Sequence, residues 1–167
     1  FGHSPAFGLR RMGKKRAGLP EPTEGIIGMS AEPKKSELLL DDDRHCFGCG
    51  ERNPIGLRLK FEKIADGGVE TVFTPGKDHQ GYKDLLHGGL MALVLDEAMV
   101  NAVWLNATPA VSVEIRVRLR HAVQVGQPLR IRAWIEPAAG SASAQKRLVL
   151  TRGEARDQKT GRLVAEA

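Results

Sequence analysis

The sequence is poor in cysteine, in aromatic rings and in long apolar runs, and each shortage removes a class of protein. Cys46 and Cys49 are its only two cysteines, and one CxxC pair cannot build the disulfide framework that staples a small secreted domain. A reducing, cytoplasmic setting is therefore expected. Aromatic residues make up 5% of the chain, too few for the stacking platform of a nucleic-acid binder. The formal charge of +5 hints at an anionic partner, but Arg10, Arg11, Lys14, Lys15 and Arg16 supply much of it from the front of the chain. No nucleic-acid partner is expected. The longest apolar stretch, Leu90 to Leu105, is broken by Asp96, Glu97 and Asn101, so it falls short of the roughly 20 apolar residues that span a bilayer, and no membrane partner is expected. No apolar segment of signal-peptide length follows the basic front.

What remains is a chain of 167 residues with 41% hydrophobic content, enough to bury one core. Residues 1–43 are rich in Gly, Pro, Lys and Arg without periodicity, and are read as a disordered basic tail or a non-native extension, with Met12 and Met29 as alternative starts. Residues 44–167 are read as one domain. Leu57, Leu59 and Phe61 alternate with Arg58, Lys60 and Glu62, the pattern of a half-buried strand. Asp66-Gly67-Gly68 turns that strand into a second, Val69 to Thr74, and residues 75–86 read as a polar loop. A helix follows from about His87 to Leu105, apolar nearly all round and hence expected to be buried. A long half-buried strand over residues 110–123 comes next, then strands over 129–136 and 144–156 separated by a turn at 138–141. A last strand begins at Arg162, and its pattern is unfinished at Ala167, so it is read as cut short. The simplest assembly is α+β, a curved antiparallel sheet wrapped around one long helix.

The chemistry concentrates between His79 and Ala98. Gly88 and Gly89 open the helix, although glycine costs about 1 kcal/mol relative to alanine inside one. Close packing against the sheet is one compensation. The other is functional: without a Cβ, a ligand can approach the free N–H groups, whose dipole favours developing negative charge. One such donor to an oxyanion contributes about 2.7–4 kcal/mol to a transition state. Asp96 and Glu97 interrupt the apolar helix, and an unpaired carboxylate is costly to bury. Glu97 can pair with Asn101 one turn on, whereas Asp96 faces Val100 at that spacing and has no local partner. Asp96 is the candidate general base or nucleophile. Gly88 and Asp96 are eight residues apart, about 12 Å along a helix, too far to touch one reacting carbon. Two antiparallel helices across a two-fold axis would bring Gly88 of one chain to Asp96 of the other.

The string His79-Gln80-Gly81-Tyr82-Lys83-Asp84-Leu85-Leu86-His87-Gly88-Gly89, continuing to Asp96, together with Val111 to Arg120 and Val123-Gln124-Val125-Gly126, resembles the phenylacetate-pathway-type (PaaI-like) hotdog thioesterases. The likeness runs over about residues 44–167. The opening Cys46-Phe47-Gly48-Cys49-Gly50 and Asn53-Pro54-Ile55-Gly56-Leu57 resemble one branch of that family. The resemblance implies a hotdog fold and hydrolysis of acyl-CoA by a homodimer, or a tetramer built as a dimer of dimers. It further implies Asp96 as base or nucleophile, Gly88 as oxyanion donor and His87 as the residue that fixes the loop. Gly89, His79, Gln80, Gly81, Ser112 and Glu97 are the expected substrate contacts, with Ser112 placing the attacking water. Relatives carry Asn where this chain has Gly81, so Gln80 or His79 would have to orient the water instead.

Cys46 and Cys49 beside His45 invite a zinc or redox reading, but a structural zinc site takes four ligands and one CxxC supplies two, so no metal and no cofactor is expected. Arg116, Arg118 and Arg120 share one strand face that could meet the phosphates of CoA. Two other functions stay open: an acyl-thioester dehydratase or hydratase, and an acyl-CoA-binding protein without turnover.

Overall fold

The computed structural model describes residues 42–106, 110–137 and 148–167. In chain order the elements are β1 (Glu62–Lys63), β2 (Val69–Phe73), a single 3-10 turn (Lys77–His79), β3 (Gln80–Tyr82), β4 (Leu85–Leu86), α1 (Gly88–Trp104), β5 (Arg118–Leu119), β6 (Leu129–Ile135), β7 (Thr151–Asp157) and β8 (Leu163–Glu166). A six-stranded antiparallel sheet runs in the order β1-β2-β6-β7-β8-β5, and β3 and β4 form a separate ribbon. The helix lies across β2, β6 and β7. This is the α+β arrangement expected, one helix held by one antiparallel sheet. Among the described residues no helix is long and apolar enough to cross a membrane.

The core forms where two periodicities meet. Strand alternation sends Val69, Phe73, Leu129, Ile131 and Ala133 to one sheet face. On the helix the buried set is Met91, Val94, Leu95, Ala98, Met99, Ala102 and Val103, steps of three and four that make one stripe. Gly153 in β7 lets the helix approach, since a Cβ there would stand 3.2 Å from Met99 Cγ. The β1–β2 turn closes with Gly67 at φ 83°, a left-handed conformation that glycine adopts without strain. Asn106 beyond the helix end donates to the Gly67 carbonyl at 2.9 Å, tying the hairpin to α1.

Several expectations need correction. The first strand is only two residues long: Arg58 takes φ 53°, and Leu57 and Leu59 donate to the carbonyls of Phe47 and Gly48 instead of to a strand. The segment 75–86 is more than a loop, because the β3–β4 ribbon gives its backbone groups partners. The helix is not buried all round, since Leu90, Leu93 and Val100 stay half-buried. Of the long strand over 110–123, only Arg118 and Leu119 join a ladder. Its apolar side chains Val111, Val113 and Ile115 are 57%, 78% and 40% exposed, because no described element of the chain covers that face. The strand expected over 144–156 begins at Thr151. Its residues 144–147, the turn 138–141 and nearly all of the expected tail lie outside the described residues.

Candidate active site

The helix start is built by His87. It is the N-cap, at φ −65° and ψ 129°, and its Nδ1 accepts a hydrogen bond from the Gly89 N–H at 2.9 Å. The His87 carbonyl takes Leu90 N–H at 3.0 Å and Met91 N–H at 3.2 Å. The Met91 bond is the first regular bond of the helix; of the four N–H groups left unpaired before it, Gly89 and Leu90 are satisfied by His87, and the N–H of His87 itself donates to the His79 carbonyl. Among the described residues the Gly88 N–H has no acceptor, and it is the donor that remains free at the positive end of the helix dipole.

Two further bonds hold His87 in place. Its N–H donates to the His79 carbonyl at 2.9 Å, and His79 Nδ1 in turn accepts from the Gly76 N–H at 2.9 Å, which locks the turn below it. Gly81 leaves just enough room, because a Cβ there would stand 3.0 Å from the His87 ring. Gln80 Oε1 accepts from the Asp84 N–H at 3.1 Å.

Asp96 has the partner that its own helix did not offer. Ser112 donates its hydroxyl to Asp96 Oδ1 at 2.5 Å, across sixteen residues of sequence, and Oδ1 is thereby turned toward the exposed edge segment. Asp96 and Ser112 line a small cleft of about 130 Å³ together with Met99, Val100, Val113 and Thr151. Gly88 opens onto a different cleft, lined by Tyr82, Leu86, Met91, Leu119 and His121. The two clefts share no residue, so within one chain the free amide and the carboxylate do not face one reacting centre.

Residues 84–162 match the family model described as Thioesterase superfamily. They include the helix, its glycine start and three of the six strands of the main sheet, β5, β6 and β7. The chain carries the hotdog fold of the thioesterase superfamily. A solved structure of a thioesterase superfamily protein aligns with a TM-score of 0.65 at 23% identity, over 74% of this chain and 60% of that one. This hotdog chain thus spans less than two thirds of that relative's length. The Escherichia coli PaaI protein from the phenylacetic acid degradation operon aligns with a TM-score of 0.54 at 18% identity, covering 66% of this chain and 75% of that one. A hypothetical thioesterase from Streptococcus pneumoniae, solved with coenzyme A, aligns with a TM-score of 0.55 at 18% identity, covering 65% and 82%. No curated protein sequence matches the chain.

Two groupings in this hotdog domain were only partly legible in the sequence. Glu97, expected among substrate contacts, is engaged elsewhere: Asn101 Nδ2 donates to its Oε1 at 3.2 Å and Cys46 Sγ approaches its Oε2 at 3.5 Å. Burial first, and the Glu97 carboxylate second, push the Cys49 thiol far above the ordinary thiol range. The second grouping is a cleft of about 480 Å³ lined by Arg116, Arg118, Arg152 and Trp134. Of the three arginines expected on one face, Arg116 pairs with Glu114 and Arg120 with Glu166, while Arg118 has no ion pair among the described residues. The alternation of residues 113–120 was the sequence signal for it, but the contribution of β7 through Arg152 was not visible.

Proposed function

We propose that the protein hydrolyses acyl-CoA thioesters at two equivalent sites, each shared between two copies of the chain. The supporting observation is the division of labour within one chain: a free Gly88 N–H in one cleft and a Ser112-held Asp96 in another. The half-buried Leu90, Leu93 and Val100 of the helix and the exposed Val111, Val113 and Ile115 supply apolar surface for the second copy. Gly88 of one chain binds the thioester oxygen, and Asp96 of the other takes a proton from water. The water oxygen adds to the carbonyl carbon, the oxyanion forms on the Gly88 amide, and its collapse breaks the C–S bond. The sulfur leaves as CoA thiolate, which regains a proton, and the acyl group leaves as the acid. Direct attack by Asp96 to give a mixed anhydride uses the same geometry. Gly89 and His79 act through the loop, Gln80 and Gly81 shape it, and Ser112 aims the carboxylate. Glu97 is left out of this reading, because Asn101 and Cys46 occupy its oxygens.

Release of free thiol from a panel of acyl-CoAs tests this. A dehydratase releases none, and a binding protein shows acyl-CoA affinity without turnover. Ser112→Ala is expected to lower kcat about tenfold with little change in KM, the size of one lost charge-assisted hydrogen bond, and Ser112→Thr to recover most of it. An unchanged kcat removes Ser112 from the mechanism.

The Arg118 cleft suits the phosphates of the CoA nucleotide, since the guanidinium fork matches phosphate oxygens. Arg118→Ala is expected to raise KM for acyl-CoA about five- to tenfold, the size of one lost charge-assisted contact, and to leave a truncated N-acetylcysteamine thioester unaffected. Equal effects on both substrates would show that Arg118 does not read the nucleotide.

A further inference from the structure

The loop Cys46-Phe47-Gly48-Cys49-Gly50 folds over the middle of α1 in a way that neither the helix nor the proposed hydrolysis requires. Gly50 N–H donates to the Cys46 carbonyl at 2.9 Å, closing a tight turn between the two cysteines. The turn is compressed to its limit: a Cβ on Gly50 would lie 2.5 Å from both the Arg44 carbonyl oxygen and the Cys46 nitrogen. A Cβ on Gly48 would lie 2.4 Å from Glu97 Oε2, so the carboxylate reaches into the turn where the loop has no side chain to oppose it. The loop is then anchored by Leu57 and Leu59, whose N–H groups donate to the Phe47 and Gly48 carbonyls at 2.8 and 2.9 Å.

The result is that Cys46 Sγ, Cys49 Sγ and a Glu97 carboxylate oxygen all lie within 4.8 Å of one another. Tetrahedral zinc with bonds of about 2.3 Å to sulfur and 2.0 Å to oxygen separates its ligand atoms by about 3.5–3.8 Å. The Cys46 Sγ to Glu97 Oε2 distance is already 3.5 Å. Asn101 Nδ2 donates to the other carboxylate oxygen, Oε1, at 3.2 Å, and is itself held by donating to the Glu97 backbone carbonyl at 2.8 Å. That is the outer-shell arrangement which orients a ligating carboxylate. His45, the ligand first suspected from sequence, is drawn off toward Asp43.

The geometry points to a divalent metal site made of Cys46, Cys49 and Glu97, taking zinc, with the exposed side beyond Cys46 open to a fourth ligand from solvent. Two sulfurs and one oxygen favour a borderline-soft ion over magnesium or calcium, which take oxygen ligands. Binding deprotonates both thiols, releases two protons to solvent and leaves the three ligand groups with one net negative charge around the ion. Its role is to clasp the 46–50 loop to the helix, and it stands apart from the thioesterase reading.

The test is titration of the metal-stripped full chain with cobalt(II) and zinc. One cobalt per chain should bind with a thiolate-to-cobalt charge-transfer band and the visible absorption of a tetrahedral centre. Cys46→Ser with Cys49→Ser should abolish that band, and Glu97→Gln should weaken binding about tenfold or more. Zinc should displace the cobalt, raise the thermal midpoint by about 5 °C at saturation, and shield the exposed Cys46 thiol of the unaltered chain from maleimide. The maleimide measurement needs no variant, so it stands even where a substitution impairs folding. The proposal is overturned if no thiolate band forms, if the band survives loss of both cysteines, or if Glu97→Gln binds as tightly as the unaltered chain. It is equally overturned if a Cys46–Cys49 disulfide persists in a reducing glutathione buffer, which would assign the pair to redox chemistry.

Discussion

Asp96→Asn is expected to lower kcat for acyl-CoA hydrolysis about 1,000-fold, within the range that loss of a positioned general base costs, while the protein stays folded and still binds substrate. The substitution is close to isosteric, and the asparagine carbonyl can still accept the Ser112 hydroxyl that Asp96 Oδ1 accepts at 2.5 Å. Position is therefore kept and only basicity is removed. Asp96 is half-buried and lies outside the hydrophobic core cluster, so the change should not disturb the core. Thiol release under saturating acyl-CoA measures it. Turnover within about threefold of the unaltered protein is far smaller than any base contributes, and would end the assignment of Asp96.

The second large effect concerns the sharing of sites between chains. Gly88→Pro deletes one N–H and little else. Proline is accommodated at the first helical position, and His87 already has the extended backbone that a following proline demands, φ −65° and ψ 129°. A β-carbon there would come 2.8 Å from Leu119 Cδ1, but Leu119 is half exposed at 53% and can turn away. Loss of the single oxyanion donor should cost about 100- to 1,000-fold in kcat. Co-expressed in equal amounts, the Gly88→Pro and Asp96→Asn chains should recover about a quarter of full activity, because half the dimers are mixed and each mixed dimer holds one intact site of two. Were both groups to act within one chain, every chain in the mixture would carry a defect and nothing would be recovered. An inactive mixture, with mixed dimers shown to be present by mass, rejects the shared site.

The helix was legible to within a residue at each end because its signal is local, one nearly unbroken apolar run of helical length. The strands over 69–73 and 129–135 were legible because each faces the core on one side, so their alternation is real in space. The segment 110–120 shows the opposite. Its alternation is as clean as any in the chain, yet Val111, Val113, Ile115 and Leu119 on its apolar side are exposed and only Val117 meets the core, since alternation reports that a face wants burial and not what will bury it. The segment 57–61 fails for a related reason: Leu59 is buried as its spacing predicts, but its hydrogen-bond partner is the Gly48 carbonyl.

By itself the sequence determined the span of α1, the glycine pair at its dipole end and the distance from Gly88 to Asp96, all consequences of one helix's geometry over neighbouring residues. The tertiary structure alone decided which glycine amide stays free, that Ser112 holds Asp96, and that Glu97 turns to the two cysteines. Those choices depend on how loop and edge segments lie against the helix. That is a matter of three-dimensional packing between residues far apart in the chain, and no local pattern carries it.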